Sequence, residues 1–140
     1  MTTWWIYALV SAAAAAATAV LAKIGVQGVS SNLATAVRTA VVLVFAWGIV
    51  VATGQHREVP ALGSRTLVFL ALSGVATGVS WLAYFRALQL APASHVAPID
   101  KLSLALTILL ARVVLGEAVT WKLAAGVAMM VGGALLTLVP

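Results

Sequence analysis

The stretch Ala91-Pro-Ala-Ser-His-Val-Ala-Pro-Ile-Asp-Lys-Leu-Ser103 decides how the chain is interpreted, because it sets two adjacent opposite charges, Asp100 and Lys101, in apolar surroundings. Arg86 precedes this stretch, and the helix-length run that follows it carries Arg112 as its only charge. Ionisable groups at membrane depth are energetically costly and usually face a protein interior or a water-filled cavity. The stretch is therefore predicted to open a transmembrane helix and to lie near a functional site.

The composition excludes an ordinary soluble domain. Of the 140 residues, 64% are hydrophobic and 8% are charged, whereas about a quarter of the residues of a soluble domain carry charge. Several apolar runs of ~20 residues, the length that crosses the hydrocarbon core, follow one another. The chain is therefore predicted to be an all-α polytopic membrane protein. Its net charge of +5 is attributed to membrane topology and not to nucleic-acid binding.

Five transmembrane helices and no soluble domain are predicted, so that residues 1–140 form a single membrane domain. The predicted spans 1 to 5 lie at about 4–22, 33–53, 66–88, 95–115 and 121–139. Between spans 2 and 3, residues 54–65 have mixed charge with Gly and Pro and are predicted to form a water-exposed loop.

Polar residues share one face of spans 3 and 4. On span 3, Ser73 and Thr77 begin a row with helical spacing of three or four positions. The residues expected to line a substrate cavity on these faces are Ser80, Trp81, Tyr84, Ser103 and Thr107. The alternative is that the hydroxyl groups only bond to carbonyls of their own helix or to a neighbouring helix.

Four charges, Arg38, Arg86, Asp100 and Lys101, are predicted to lie on one side of the bilayer, on three consecutive spans. A carboxylate at membrane depth needs a partner, and Arg38 or Arg86 could supply one. Lys101 is about 100° around the helix from Asp100 and is expected to point elsewhere, toward the headgroups. The charges are interpreted either as an interhelical salt bridge, or as a site where Asp100 exchanges a proton while the arginines hold an anionic group of a substrate.

Span 5 carries small residues at every fourth position, namely Ala124, Ala128 and Gly132. Small residues at this spacing let two helix backbones approach closely in lipid. Span 5 is therefore predicted to be the contact of a homodimer.

The positive charges do not choose a membrane orientation. With five spans, the eight Lys and Arg residues divide equally between the two sides. If Arg38 and Lys101 are set aside as functional charges, the remaining bias favours a cytoplasmic N-terminus. A near-balanced chain can insert both ways up and form an antiparallel homodimer, which would recreate the inverted repeats of larger transporters.

No enzyme chemistry is indicated. The sequence has no cysteine, and its two histidines and three carboxylates do not form a credible metal-binding cluster. It also has no Gly-rich phosphate loop and no nucleophile elbow. The sequence therefore predicts no enzyme, no bound metal and no cofactor.

The segment Ala87-Leu-Gln-Leu-Ala-Pro-Ala-Ser-His-Val-Ala-Pro98, with Leu115-Gly-Glu117 after the next apolar run, resembles the signature of EamA-like domains of the drug/metabolite transporter superfamily. Trp81-Leu-Ala-Tyr-Phe-Arg-Ala-Leu88 and the glycine-rich last span extend the resemblance over essentially the whole chain. Most members carry two five-helix units in inverted orientation. The resemblance implies one half of such an inverted-repeat transporter, in which the first four helices line a cavity and the fifth lies outside them. The charged pair Asp100-Lys101 departs from the commonest form of the motif, which is apolar there, and resembles a subgroup of single-domain members.

The sequence thus predicts a secondary transporter of small polar metabolites, either amino-acid-like compounds or organic anions, working as a dimer by alternating access in the cell membrane. Asp100 is expected to couple transport, and Arg38 and Arg86 to pair charge or bind substrate. One alternative is a non-transporting membrane subunit. Another is an exporter like the small multidrug-resistance proteins, which bind cations through a glutamate in the first helix. Span 1 has no carboxylate.

Overall fold

A computed structural model of the chain describes residues 3–138, and these residues form helices and no strand. The α-helices in this part of the chain are α1 Trp4–Gly25, α2 Ser31–Ala52, α3 Ser64–Leu90, α4 Ala93–Asp100, α5 Ser103–Leu110 and α6 Trp121–Leu136. A 3₁₀ segment, Gln55–Ala61, lies between α2 and α3, and a π-helical turn, Ala111–Leu115, follows α5. The predicted end of span 5 at Val139 lies outside the described residues.

Three helices, α1, α2 and α3, are long and apolar enough to cross a membrane, with lengths of 22, 22 and 27 residues. At ~1.5 Å per residue each exceeds the hydrocarbon core of ~30 Å. Their large apolar side chains are exposed, for example Val44 at 73% and Phe45 at 70%, as expected of a surface that contacts lipid. The all-helical fold is thus confirmed, and three helices suit a membrane span by length and composition. Five complete spans stay a prediction, because α4 and α5 have eight residues each and α6 has only 16.

The predicted span 4 is not one continuous α-helix. The α-helical pattern stops at Asp100 and resumes at Ser103. Between them the N–H of Lys101 is shared by the carbonyl oxygens of Ala97 and Pro98, at 3.3 and 3.1 Å. The helix therefore tightens locally to 3₁₀-type bonds. Within α4, Pro98 also removes one backbone donor from a helix of eight residues.

Polar caps and glycines set the helix ends. The hydroxyl of Ser30 accepts the N–H of Leu33 at 3.3 Å where α2 begins, and Thr120 accepts the N–H of Leu123 at 3.2 Å where α6 begins. Beyond the end of α2, Gly54 has a φ of +75°. This left-handed conformation favours glycine because a Cβ would clash there.

The chain divides into two compact units. The central unit comprises residues 21–89, with α2 and α3, and the terminal unit comprises the described residues of 1–20 and 90–140. In the terminal unit α4 and α5 each pack against α6, and Val96 and Ala134 are buried. The buried residues of the central unit lie at the end of α1 and the connection after it, near the beginning of α2 and at the end of α3; they are Ala22, Val26, Thr35, Phe85 and Leu88.

Gln89 ties the end of α3 to the connection between α1 and α2. Its Nε2 donates to the carbonyl oxygens of Val29 at 2.6 Å and Val26 at 3.4 Å. Its Oε1 accepts from Nη1 of Arg86 at 3.1 Å. These bonds set the last turn of α3 beside the first turn of α2, so the two helices run antiparallel in a fixed register. Close by, the Nζ of Lys23 donates to the backbone carbonyl of Leu88, as cations commonly do at a helix C-terminus.

Replacing Gln89 with leucine is expected to destabilise the central unit by about 1–2 kcal/mol, since interhelical hydrogen bonds in membrane proteins contribute up to ~1.7 kcal/mol each. Reversible unfolding in mixed detergent micelles measures this change. Gln27→Leu is the matched control, because Gln27 is exposed in the same connection. Equal stability of the two variants would show that the Gln89 bonds do not hold the register.

Candidate functional site

The register set by Gln89 places Arg38 and Trp81 at the same depth of the central unit. At roughly 1.5 Å per residue, Arg38 lies about 10 Å from the start of α2, and Trp81 lies about 12 Å before Gln89 on α3. The Cζ atom of Arg38 lies 3.9 Å from the centroid of the Trp81 ring. This is a close cation–π contact between two helices that are each long enough to span a membrane.

A second ring completes what we call the Arg38 cluster, defined as Arg38, Trp81 and Phe85. The centroid of the Phe85 ring is 5.5 Å from Cζ of Arg38. Phe85 follows Trp81 by one helical turn and is only 3% exposed, so its ring is fixed by packing. Tyr84 follows Trp81 by three positions and therefore lies on the same side of α3. Arg38 and Trp81 themselves are half-buried.

The positive charge of the Arg38 cluster has no carboxylate within its unit to neutralise it. Glu58 is the only acidic residue of residues 21–89, all of which the structure describes. It lies in the 3₁₀ segment beyond the opposite end of α2, and at ~1.5 Å per residue that end is about 20 Å from Arg38. Because an uncompensated charge at membrane depth is costly, a guanidinium in this position favours the arrival of an anion.

Asp100 lies in the terminal unit and pairs with its neighbour Lys101, with Nζ and Oδ2 3.3 Å apart. The expectation that Lys101 points away from Asp100 is therefore wrong. The α-helix ends at Asp100, so regular helix geometry does not hold the two side chains apart. The side chains of Lys101 and Asp100 are 60% and 37% exposed, and such pairs typically contribute ~0–1 kcal/mol. A pairing of Asp100 with Arg38 or Arg86 stays a prediction.

Arg86 has a structural contact of its own. Its side chain is exposed and donates to Gln89, which holds the connection between α1 and α2. Arg86 thus supports the register that brings Arg38 to Trp81. A direct role of Arg86 with substrate stays a prediction.

The threonine hydroxyls on the predicted polar faces bond within their own helices. Thr107 donates to the carbonyl of Ser103 at 2.8 Å, and Thr77 donates to that of Ser73 at 2.9 Å. These bonds correspond to the alternative in which the hydroxyls serve their own helix. The side chains of Ser80 and Ser103 are exposed and Tyr84 is half-buried. That any of them lines a substrate cavity stays a prediction.

Sequence reasoning did not single out Phe85 and Gln89. A signal was present, because Trp81, Phe85 and Gln89 recur at every fourth position and therefore share one face of α3. The predicted cavity lining instead followed the neighbouring row of hydroxyl groups, which runs through Ser80 and Tyr84. The row that contacts Arg38 is aromatic and ends in an amide.

The small-residue row of α6 is exposed in the single chain. Ala124, Ala128 and Gly132 are all exposed, whereas Ala134, on another face of α6, is buried. A Cβ built on Gly132 would meet no described atom within 4 Å. The absence of a side chain at Gly132 is therefore not required by packing among the described residues.

Comparison with known proteins identifies the family. The EamA-like transporter family matches residues 2–139. A relative from a Sinorhizobium species, named as an uncharacterized transporter in the cobO 3′ region, is 50% identical over 133 residues, which cover 95% of this chain and 94% of the relative. No solved structure matches the chain. Both matches are to transporters and not to enzymes, and the family match covers all the apolar helices described above. The chain therefore belongs to the EamA-like transporter family and is a membrane transporter.

Proposed function

We propose that the chain is a secondary transporter of small polar metabolites, either amino-acid-like compounds or organic anions, in the cell membrane, which it crosses several times as a single five-helix unit. Its family supports transport in general. The observation that carries the choice of anionic or amino-acid-like substrates is the Arg38 cluster, a guanidinium 3.9 Å from the Trp81 ring in a membrane-length helix. A fixed positive charge at that depth attracts anionic groups and repels cations.

Asp100 is the proposed coupling residue. It lies at the interruption between α4 and α5, and it pairs with the exposed side chain of Lys101. Broken transmembrane helices are common where transporters bind substrates and coupling ions. A weakly paired carboxylate at such a break can exchange a proton during the transport cycle.

A homodimer working by alternating access is the proposed assembly. Inverted-repeat transporters use two related units around one site, and this chain supplies one unit. The Sinorhizobium relative is aligned over 94% of its length, so that relative has about the length of one unit. The exposed row Ala124, Ala128 and Gly132 on α6 provides a surface for close helix contact between copies, whether parallel or antiparallel.

Neutralising Asp100 is expected to abolish coupled transport and leave expression intact. Asp100→Asn removes the exchangeable proton but keeps the size of the side chain. Uptake of radiolabelled L-alanine, L-lactate and benzoate into proteoliposomes, driven by an imposed pH gradient, measures the effect. Glu117→Gln is the control, since Glu117 lies in the same unit after the π-helical turn.

Transport by Asp100→Asn at the wild-type rate would contradict the coupling role. If purified wild-type protein neither takes up these probes nor binds them differently at two pH values, the non-transporting subunit is favoured. Saturable export of a quaternary ammonium compound would instead favour a function like that of the small multidrug-resistance proteins.

A further inference from the structure

We infer that the Arg38 cluster is a carboxylate-binding site in which Trp81 and Phe85 fix the plane of the guanidinium, so that the transported metabolite is a carboxylate anion bound by the edge of Arg38. This inference rests on the proposed transport function and deepens it. It names the class of substrate, and it assigns Trp81 and Phe85 as positioning residues.

The distance between Arg38 and Trp81 indicates how the guanidinium is oriented. At 3.9 Å from Cζ of Arg38 to the ring centroid of Trp81, the two planar groups are close enough to stack face to face, a common arrangement of arginine on tryptophan. An N–H directed at the ring would hold the central carbon farther away. In the stacked arrangement the N–H groups point outward in the guanidinium plane, and the ring does not consume them.

The orientation of the guanidinium is held by the packed ring of Phe85 and by the register of α3 against α2. Phe85 is 3% exposed and its ring centroid lies 5.5 Å from Cζ of Arg38. The bonds from Gln89 to the carbonyl oxygens of Val26 and Val29 fix the register of α3 against the start of α2. The guanidinium is thus carried by two helices in a fixed register, beside the half-buried ring of Trp81 and the buried ring of Phe85. This is the kind of preorganisation that a specific site requires.

The N–H groups at the edge of the Arg38 guanidinium determine which ligand the site can bind. Two parallel N–H groups of arginine match the two oxygens of a carboxylate in one plane. Arg86 donates to Gln89, and the acidic residue of the central unit, Glu58, lies beyond the opposite end of α2. The site therefore offers one positive charge with a planar donor edge. A carboxylate matches both features, whereas its primary amide matches the shape but lacks the charge.

The test compares carboxylates with their amides on purified protein in phosphatidylcholine nanodiscs. The probe pairs are acetate with acetamide, benzoate with benzamide, and L-lactate with L-lactamide, and ligand-induced thermal stabilisation gives the affinities. At least one carboxylate is expected to bind about tenfold or more tightly than its amide, because only the carboxylate brings a negative charge and two acceptor oxygens to the guanidinium. Tenfold corresponds to ~1.4 kcal/mol.

Four variants assign the preference to the cluster. Arg38→Lys keeps the charge but loses the planar fork, and is expected to remove most of the preference for the carboxylate. Trp81→Leu is expected to reduce it, and Trp81→Phe is expected to restore it because a ring is retained. Arg65→Lys is the control, since Arg65 also lies near a ring, that of Phe69 at 5.9 Å, but at the other end of α3.

Three outcomes would overturn the inference. In the first, no carboxylate binds more tightly than its amide; in the second, the preference for the carboxylate survives Arg38→Lys. In the third, phosphatidylglycerol in the nanodisc stabilises the protein in an Arg38-dependent way and free carboxylates have no effect. The last outcome would assign the site to a lipid phosphate. Transport of L-alanine that depends on Asp100 but not on Arg38 would leave the proposed function standing while this inference fails. Carboxylate binding that depends on Arg38, without flux of any probe, would sustain the site and contradict transport.

Discussion

Replacing Arg38 with glutamine is expected to lower the initial rate of carboxylate uptake by about 100-fold. The change removes a charge-assisted pair of hydrogen bonds to the substrate, which together contribute on the order of 3 kcal/mol. The charge has no carboxylate in its own unit, so its removal breaks no ion pair there, and the expected cost to the fold is the loss of the contact with Trp81. The rate is measured with radiolabelled L-lactate and benzoate in proteoliposomes of equal protein content.

Arg65→Gln is the control for this loss of charge. Arg65 lies near Phe69 at the beginning of α3, far from the Arg38 cluster along the same helix. It is expected to keep at least half of the wild-type uptake. If Arg38→Gln transported as fast as Arg65→Gln, the charge of Arg38 would have no role with substrate and its contact with Trp81 would be structural.

Replacing Gly132 with leucine is expected to weaken the homodimer by tenfold or more and to lower transport in proportion. Gly132 is exposed and has open space around a built Cβ, so leucine is tolerated within the single chain. At a close helix contact between copies, leucine would hold the backbones apart. A tenfold change in dissociation corresponds to ~1.4 kcal/mol. Single-molecule photobleaching of labelled subunits in lipid vesicles counts the copies.

Gly133→Leu provides a control with the same chemistry on the same helix. Gly133 is adjacent in sequence, about 100° around α6 from Gly132, and it also has open space around a built Cβ. The Gly133→Leu variant is expected to dimerise as the wild-type protein does. Equal dimerisation of the two variants would remove the row of Ala124, Ala128 and Gly132 as the contact.

The class of protein follows from composition, because long apolar runs with few charges have few stable alternatives to membrane helices. The family resemblance rested on residues 81–98 and 115–117 and is confirmed by the match over residues 2–139. The interruption at Lys101 was not predicted. A change from α to 3₁₀ bonding depends on small local energies that hydrophobic patterning does not report.

The candidate site was predictable in its charges and less so in its contacts. Arg38 is predictable from the sequence because a charge within an apolar run is costly. Trp81 is predictable as cavity lining because it lies beside the polar row of span 3. The contact between them depends on the register of two helices, which Gln89 fixes through backbone carbonyls of the preceding connection. Sequence spacing on a single helix carries no information about that register. For the same reason, sequence spacing did not predict the contact between Phe85 and Arg38.

Two copies of this chain are proposed to form one transporter in which Arg38 supplies the anion-binding charge. Co-reconstitution of wild-type protein with Arg38→Gln in varied ratios, at constant total protein, tests this proposal. Because mixed dimers would share one transport site, radiolabelled carboxylate uptake is predicted to depart from a straight line as the wild-type fraction falls, and to vanish for the variant alone. A strictly linear dependence, or undiminished uptake by the variant alone, would contradict the account.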